Sequence, residues 1–264
     1  MEQKRLSKPN SSKKRQPKLT NKKPSPEPTS SLKKRAMILE AVNKGSIRKI
    51  EIALKRGASI DSTDVDGNTA LMLAAYHGKS EVCKFLISKG AKLEATNKDG
   101  RTPLIWAVRG NKAEACKLLV ESGANIGATD SKGRTALMWA AMNGRNSEAC
   151  SILLDNLAKS GGDAIGHILK TDNSGKTALM YAAIGGRNDI CMLLIEKLAE
   201  QGGDIKKYLD ARDSDMKDAL DHAMFTGQTN VSKLLDGLMR LCRSIDNESA
   251  AGFILNFNEC VGWA

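Results

Sequence analysis

The segment GRTALMWAAMNGR, residues 133–145, returns along the chain with few changes, and this repetition limits the fold more than any other feature. Near copies read GNTALMLAAYHGK from Gly67, GRTPLIWAVRGNK from Gly100 and GKTALMYAAIGGR from Gly175, and a worn fifth copy reads MKDALDHAMFTGQ from Met216. Successive copies start 33, 33, 42 and 41 residues apart. Periods in this range belong to stacked arrays, in which each unit buries its apolar face against its neighbours and the chain grows by addition.

Each copy carries helix signals in register. Thr69, Thr102, Thr135 and Thr177 precede apolar runs, where a hydroxyl can cap free backbone N–H groups, and Asp218 can do the same in the worn copy. Gly78, Gly144, Gly186 and Gly227 follow those runs, with Asn111 in the second copy, as a left-handed helix end requires. Second segments such as EVCKFLISKGA and EACKLLVESGA then place apolar residues at helical spacing and close on Gly. Hydrophobic residues make up 41% of the chain and aromatic ones only 4%, so the core is expected to be aliphatic.

The stretch GRTPLIWAVRGNKAEACKLLVESGANIGATD resembles an ankyrin repeat, whose consensus runs Gly-x-Thr-Pro-Leu-His-x-Ala-Ala, then Gly, an outer helix ending Leu-Leu, and Gly-Ala before the next hairpin. The resemblance implies an all-α fold, an α-solenoid of antiparallel helix pairs with β-hairpin fingers, which binds protein partners on its concave face. It covers residues 35–243 as six units that begin near 35, 65, 98, 131, 173 and 214. Residues 36–64 lack the Thr-Pro-Leu-His opening, as an N-terminal cap would, and residues 244–264 read as a C-terminal cap or a docking tail.

The sequence departs from the family pattern in three ways. Pro survives only at Pro103, with Ala70, Ala136 and Ala178 elsewhere, at small cost because Ala favours helix. The consensus His gives way to Met72, Ile105, Met138 and Met180, which are expected to fill space without the polar contacts of the family His. The fourth and fifth units are long in the same places: 11 residues separate Cys150 from Gly161 and Cys191 from Gly202, against 7 from Cys83 to Gly90. Four extra residues add about one turn, roughly 6 Å of helix. The lengthened helices either keep packing on one another or form a partner-specific ridge.

Charge divides the chain. Twelve Lys or Arg against Glu2 and Glu27 place +10 of the +11 net charge in residues 1–35, so the repeats are almost neutral. Residues 1–34 also hold five of the six prolines and few large apolar side chains, a composition that cannot offset the entropy of folding. This segment reads as a disordered basic arm. Its clusters Lys13-Lys14-Arg15, Lys22-Lys23 and Lys33-Lys34-Arg35 resemble a nuclear import signal, but they also suit a nucleic-acid or anionic-membrane tether, or a solubilising tail. No run of about 18 apolar residues and no apolar leader is present, so an intracellular, soluble protein without a transmembrane segment is expected. Its place would be the cytoplasm, the nucleus or, for a bacterial effector, a host cell.

No phosphate loop, metal box or nucleophile motif appears, and no enzymatic activity, cofactor or metal is expected. Cys83, Cys116, Cys150 and Cys191 share one register of successive outer helices, too far apart for disulfides, and read as small buried apolar residues. Leu73, Trp106, Trp139, Tyr181 and His222 share one inner-helix position that packs between units in the family. Three residues later, where the inner helix reaches the concave surface, stand Tyr76, Arg109, Met142, Ile184 and Phe225. Interfaces favour aromatic, Met and Arg residues, so Tyr76, Arg109, Met142, Ile184 and Phe225, with Trp139 beneath them, are the expected partner contacts. Asn68, Arg101, Arg134, Lys176 and Lys217 form a further register, read as solvated finger tips or as a cation row that steers an acidic partner. The chain is thus expected to be a monomeric, non-enzymatic adaptor for a protein, with nucleic acid reached only through the arm.

Overall fold

The computed structural model describes residues 29–143, 147–159 and 162–260, and among them fifteen helices follow one another. They pair unit by unit: α1 (Thr29–Asn43) with α2 (Ile47–Lys55), α3 (Ala70–Tyr76) with α4 (Ser80–Ser88), and α5 (Pro103–Arg109) with α6 (Ala113–Glu121). The longer units add a short helix each: α7 (Ala136–Asn143), α8 (Glu148–Lys159) and α9 (Ala164–Leu169), then α10 (Ala178–Ile184), α11 (Asn188–Glu200) and α12 (Ile205–Leu209). The last unit is α13 (Ala219–Phe225) with α14 (Thr229–Ser244), followed by α15 (Asn247–Cys260). Inner helices α1, α3, α5, α7, α10 and α13 stack in that order, and the outer helices α4, α6, α8, α11 and α14 stack beside them.

Short inner helices form because each is capped. The hydroxyls of Thr69, Thr102, Thr135 and Thr177 accept the N–H groups of Met72, Ile105, Met138 and Met180 at 3.2–3.4 Å, and the Asp218 carboxylate accepts that of Asp221 at 2.8 Å. The Met side chains do more than fill space: Met72 Sδ accepts the Thr69 N–H at 3.3 Å and Met180 Sδ that of Thr177 at 3.5 Å, weak contacts that close the cap. Buried alanines, among them Ala74, Ala75, Ala107, Ala140, Ala182 and Ala183, let neighbouring inner helices approach closely. The outer helices are one-sided; α4 buries Val82, Cys83 and Leu86 and leaves Glu81 and Lys84 in water.

The matched insertions pack inward. Helices α8 and α11 have 12 and 13 residues against 9 in α4 and α6, so the extra turn extends both members of a packed pair. Lys170, just after α9, donates to the Gly127 carbonyl at 3.0 Å, which ties this insertion to the preceding unit. In α12 the fully buried Tyr208 accepts the Leu179 N–H at 3.2 Å and so satisfies a free donor in the first turn of α10. Among the described residues, α15 lies against α11, α12 and α14 and buries Ala250 and Ile254, while the Asn247 side chain bonds Ile205 N–H and the Gly203 carbonyl. The helix thereby covers apolar surface of the preceding helices.

At the other end, α1 starts at Thr29, six residues before the boundary read from composition. Lys33, Lys34 and Arg35 therefore lie on a helix, while Lys13, Lys14, Arg15, Lys22 and Lys23 fall outside the described residues.

Between helices the chain makes fingers, with β-bridges at Thr63–Thr69 and Thr129–Thr135. Each finger donates one backbone bond to the preceding one: Lys98 N–H to Asp66, Ser131 to Asp99, Asn173 to Lys132 and Ser214 to Ser174, at 2.9–3.0 Å. That contact explains Gly67, Gly100, Gly133 and Gly175, where φ is positive and an added Cβ would sit 2.8–3.3 Å from the next finger's backbone or closer still to Asn173. Met216 holds the same place in the last finger at φ 60°. Among the described residues no further finger packs against it, so bulk is tolerated and only the left-handed strain remains. Met216 is 69% exposed and packs little. Replacing it with Gly should raise stability by about 1 kcal/mol, the ordinary cost of a side chain in that conformation. A urea titration measures this, and an unchanged or lower midpoint would show that the Met side chain stabilises the fold.

Candidate functional site

Every finger begins with Asp64, Asn97, Asp130, Asp172 or Asp213, and one side-chain oxygen of each accepts the N–H groups two and four residues on at 2.9–3.1 Å. This is the Asx geometry of tight turns. In three units the second oxygen reaches the inner helix nine residues ahead. Asp130 accepts Trp139 Nε1 at 3.0 Å, Asp172 accepts Tyr181 Oη at 2.6 Å, and Asp213 meets His222 Nε2 at 2.8 Å. Trp139, Tyr181 and His222 are thus fixed from below by the same residue that shapes the finger. The signal is visible in the sequence as a carboxylate nine residues before an aromatic or His.

Cations complete this row. Arg134 pairs with Asp130 at 2.8 Å, Lys176 with Asp213 at 2.9 Å, and Arg101 with Asp99 at 2.8 Å, and their side chains are only 13%, 19% and 16% exposed. The expected solvated finger tips are therefore turned inward, because the carboxylates and rings beneath attract them. Burial alone would raise the Asp130, Asp172 and Asp213 carboxyls. For Asp130 it is outweighed by Arg134, backbone N–H groups and Trp139; for Asp172 by Tyr181, Lys176 N–H and Ser174; for Asp213 by Lys176, backbone N–H groups and His222. All three end below the usual carboxylate range. Burial, then the Asp172 carboxylate, pushes the Tyr181 phenol up.

The third unit breaks the pattern. Asn97 has an amide nitrogen where Asp130 has an oxygen, and it donates to Asn68 Oδ1 at 2.8 Å. Trp106 Nε1 and Arg101 Nε are consequently buried with no hydrogen-bond partner, whereas Trp139 Nε1 and Arg134 Nε both reach Asp130.

Above these residues lies the concave surface. The Arg109 guanidinium sits over the rings of Trp106, Tyr76 and Trp139 at 5.2, 5.8 and 5.9 Å, and Tyr76 meets Trp106 edge to face at 5.1 Å. Arg134 and Arg101 cover Trp139 at 4.2 and 5.0 Å. Such contacts contribute about 0.5–2 kcal/mol each, depending on exposure. A pocket of about 590 Å³ opens beside Arg109, lined also by Tyr76, Gly110, Asn111, Lys112, Trp139 and Asn143. Gly110 is required here, since a Cβ would stand 2.3 Å from the Tyr76 carbonyl.

Of the residues expected to contact a partner, the structure brings Tyr76, Arg109 and Trp139 together. Trp139 is buried and acts as support. Met142 and Ile184 follow on successive inner helices, half-buried, with Ile184 beside Lys176 and Tyr181 in a second pocket of about 450 Å³. Phe225 is 79% exposed beneath Lys217, whose ammonium lies 4.5 Å from the ring centre. Sequence reasoning missed Asn111, Lys112 and Asn143 at the pocket. The four aligned cysteines are buried and unbridged, and burial pushes their thiols up to about 12. No metal-holding cluster exists among the described residues.

A family model for ankyrin repeats in sets of three copies matches residues 38–130, 91–164, 123–207 and 157–238. The chain belongs to the ankyrin-repeat family. Among curated proteins nothing matches it. Solved chains that match number 539, so the fold by itself selects no partner. One of them comes from the complex of Bd0816, a predatory endopeptidase of Bdellovibrio bacteriovorus, with the immunity protein Bd3460. It is 31% identical with a TM-score of 0.61, and the match covers 76% of this chain and 97% of that one.

Two tests address the finger network. A carboxyl held below its unfolded value near 3.9 stabilises the fold fully above that value and loses the effect as pH falls through the native one. Thermal midpoints should therefore be level from about pH 7 to 5 and fall steeply below about 4, with a shallower fall in Asp213→Asn, which is itself less stable at neutral pH. The second test copies the Lys176–Asp213 arrangement into the third unit with Asn68→Lys and Asn97→Asp. Giving Trp106 and Arg101 an acceptor should add at least about 1 kcal/mol, read from urea unfolding.

Proposed function

We propose that this chain is a non-enzymatic adaptor that captures a protein partner on its concave face. The observation that carries this reading is the line of surface residues on consecutive inner helices, from Tyr76 and Arg109 through Met142 and Ile184 to Phe225. An aromatic side chain 79% exposed on a rigid helix has no role in its own core, and such residues supply most of the binding energy in protein interfaces. Trp139 holds the cations and Arg109 in place rather than touching the partner. The likeness to a chain from the complex of an endopeptidase with an immunity protein favours a protein as the partner. The adaptor acts as a monomer in the cytoplasm, the nucleus or an infected host cell, and among the described residues no helix is long and apolar enough to cross a membrane.

A second reading rests on the +10 charge of residues 1–35, which attracts nucleic acid or anionic membrane or serves nuclear import. Its binding to nucleic acid would weaken with salt at a log–log slope near 0.7–0.9 per phosphate contacted.

The test is capture from nuclease-treated lysate, comparing the full chain, the chain without residues 1–28, Phe225→Ala, and Met142→Asp with Ile184→Asp. Phe225→Ala is the cleanest variant because that side chain is the most exposed. The partner should stay bound after removal of the arm and lose at least about tenfold in affinity with Phe225→Ala. Retention by both surface variants, or loss with the arm alone, would transfer the function to the arm.

A further inference from the structure

The pocket beside Arg109 has a chemistry that the concave-face reading leaves unassigned. Helices α3, α5, α7 and α10 read ALMLAAY, PLIWAVR, ALMWAAMN and ALMYAAI, with no carboxylate in any of them. The cations of this region divide into two groups. Arg101, Arg134 and Lys176 are neutralised by Asp99, Asp130 and Asp213. Arg109 and Lys112 form no ion pair among the described residues, and both line the pocket. Arg109 is held by ring faces, which leaves its N–H donors for an oxygen ligand.

The backbone supports the same reading. The turn after α5 passes so close to Tyr76 that only Gly fits at position 110. The next residue takes the left-handed conformation with Asn111 at φ 52°, where Gly78, Gly186 and Gly227 stand in other turns. A glycine would satisfy the backbone equally well, but Asn adds an amide to the pocket. Two unpaired cations and an amide converge on a polar space of about 590 Å³.

We infer that the partner inserts an acidic segment here, with an Asp or Glu carboxylate on Arg109 and a second acidic group on Lys112. The inference rests on concave-face capture and adds the chemistry of the partner. Charge complementarity selects this occupant: the surface offers donors and positive charge, and no carboxylate lines the pocket to compete for them. The chain's own arm carries the same sign as the pocket and cannot fill it.

The experiment uses the full chain with a dodecapeptide of alternating Glu and Gly, its Gln–Gly counterpart, and a twelve-nucleotide oligothymidylate. Carbodiimide joins peptide carboxylates to nearby lysines, and mass spectrometry locates the adducts. The Glu–Gly peptide should couple to Lys112, and Arg109→Gln should cut that adduct at least tenfold while adducts on arm lysines stay constant. Lys112→Gln, far in exposure from the core, should weaken peptide binding in fluorescence anisotropy and serves if Arg109→Gln fails to fold. Adducts confined to the arm, equal binding of the Gln–Gly peptide, or oligothymidylate competing the peptide from Lys112 more strongly than free Glu–Gly peptide would overturn the inference. If Phe225→Ala abolishes partner capture and Arg109→Gln does not, concave capture stands and the acidic segment falls. If neither variant matters, both readings fall.

Discussion

A buried carboxylate at the root of each C-terminal finger holds the array in register. Asp130, Asp172 and Asp213 each close a turn with one oxygen and reach an inner-helix side chain with the other, so finger and helix cannot move independently. The cost of burying the charge is offset by several donors at once, which is the condition under which such groups stabilise a fold. Because the same aspartates attract Arg134 and Lys176, they also decide which cations remain free for other work.

That division shapes the concave surface. The neutralised Arg101 and Arg134 lie over Trp139, while Arg109 projects from α5 with aromatic rings around it. The surface therefore combines a rigid aromatic base, a cationic pocket in the second to fourth units and exposed apolar side chains toward the sixth. Rigid aromatics bind at low entropic cost, and a cationic pocket adds orientation.

Much of this was legible in the sequence, and for a local reason. Thr69 and its copies, the turn glycines and Asn111 act on backbone groups within four residues, so their pattern predicts helix pairs directly. Tyr76, Arg109 and Trp139 were also placed in one region by register alone. What escaped depends on groups that only stacking brings together. Arg101, Arg134 and Lys176 look like solvated tips until the following ring or carboxylate is seen beneath them. Met72 and Met180 look purely apolar until the thioether meets a backbone N–H. The start of α1 at Thr29 hides in a composition of Ser, Lys and Arg, which extends a helix well enough when the next turns bury Ile38, Ala41 and Val42.

The junctions between units are chemically unequal. Asn68 and Asn97 join the second and third units through neutral amides, a ring beneath Arg101 joins the third to the fourth, and Lys176 with Asp213 joins the fifth to the sixth through charge. Stability in such arrays is a sum of units and nearest-neighbour contacts, so solution conditions act on one end at a time. Acid loosens the C-terminal half, where the depressed aspartates sit, and leaves the amide junction untouched. The charged junction between the fifth and sixth units therefore answers to pH through Asp213, while the amide pair between the second and third units has no charge of its own to lose.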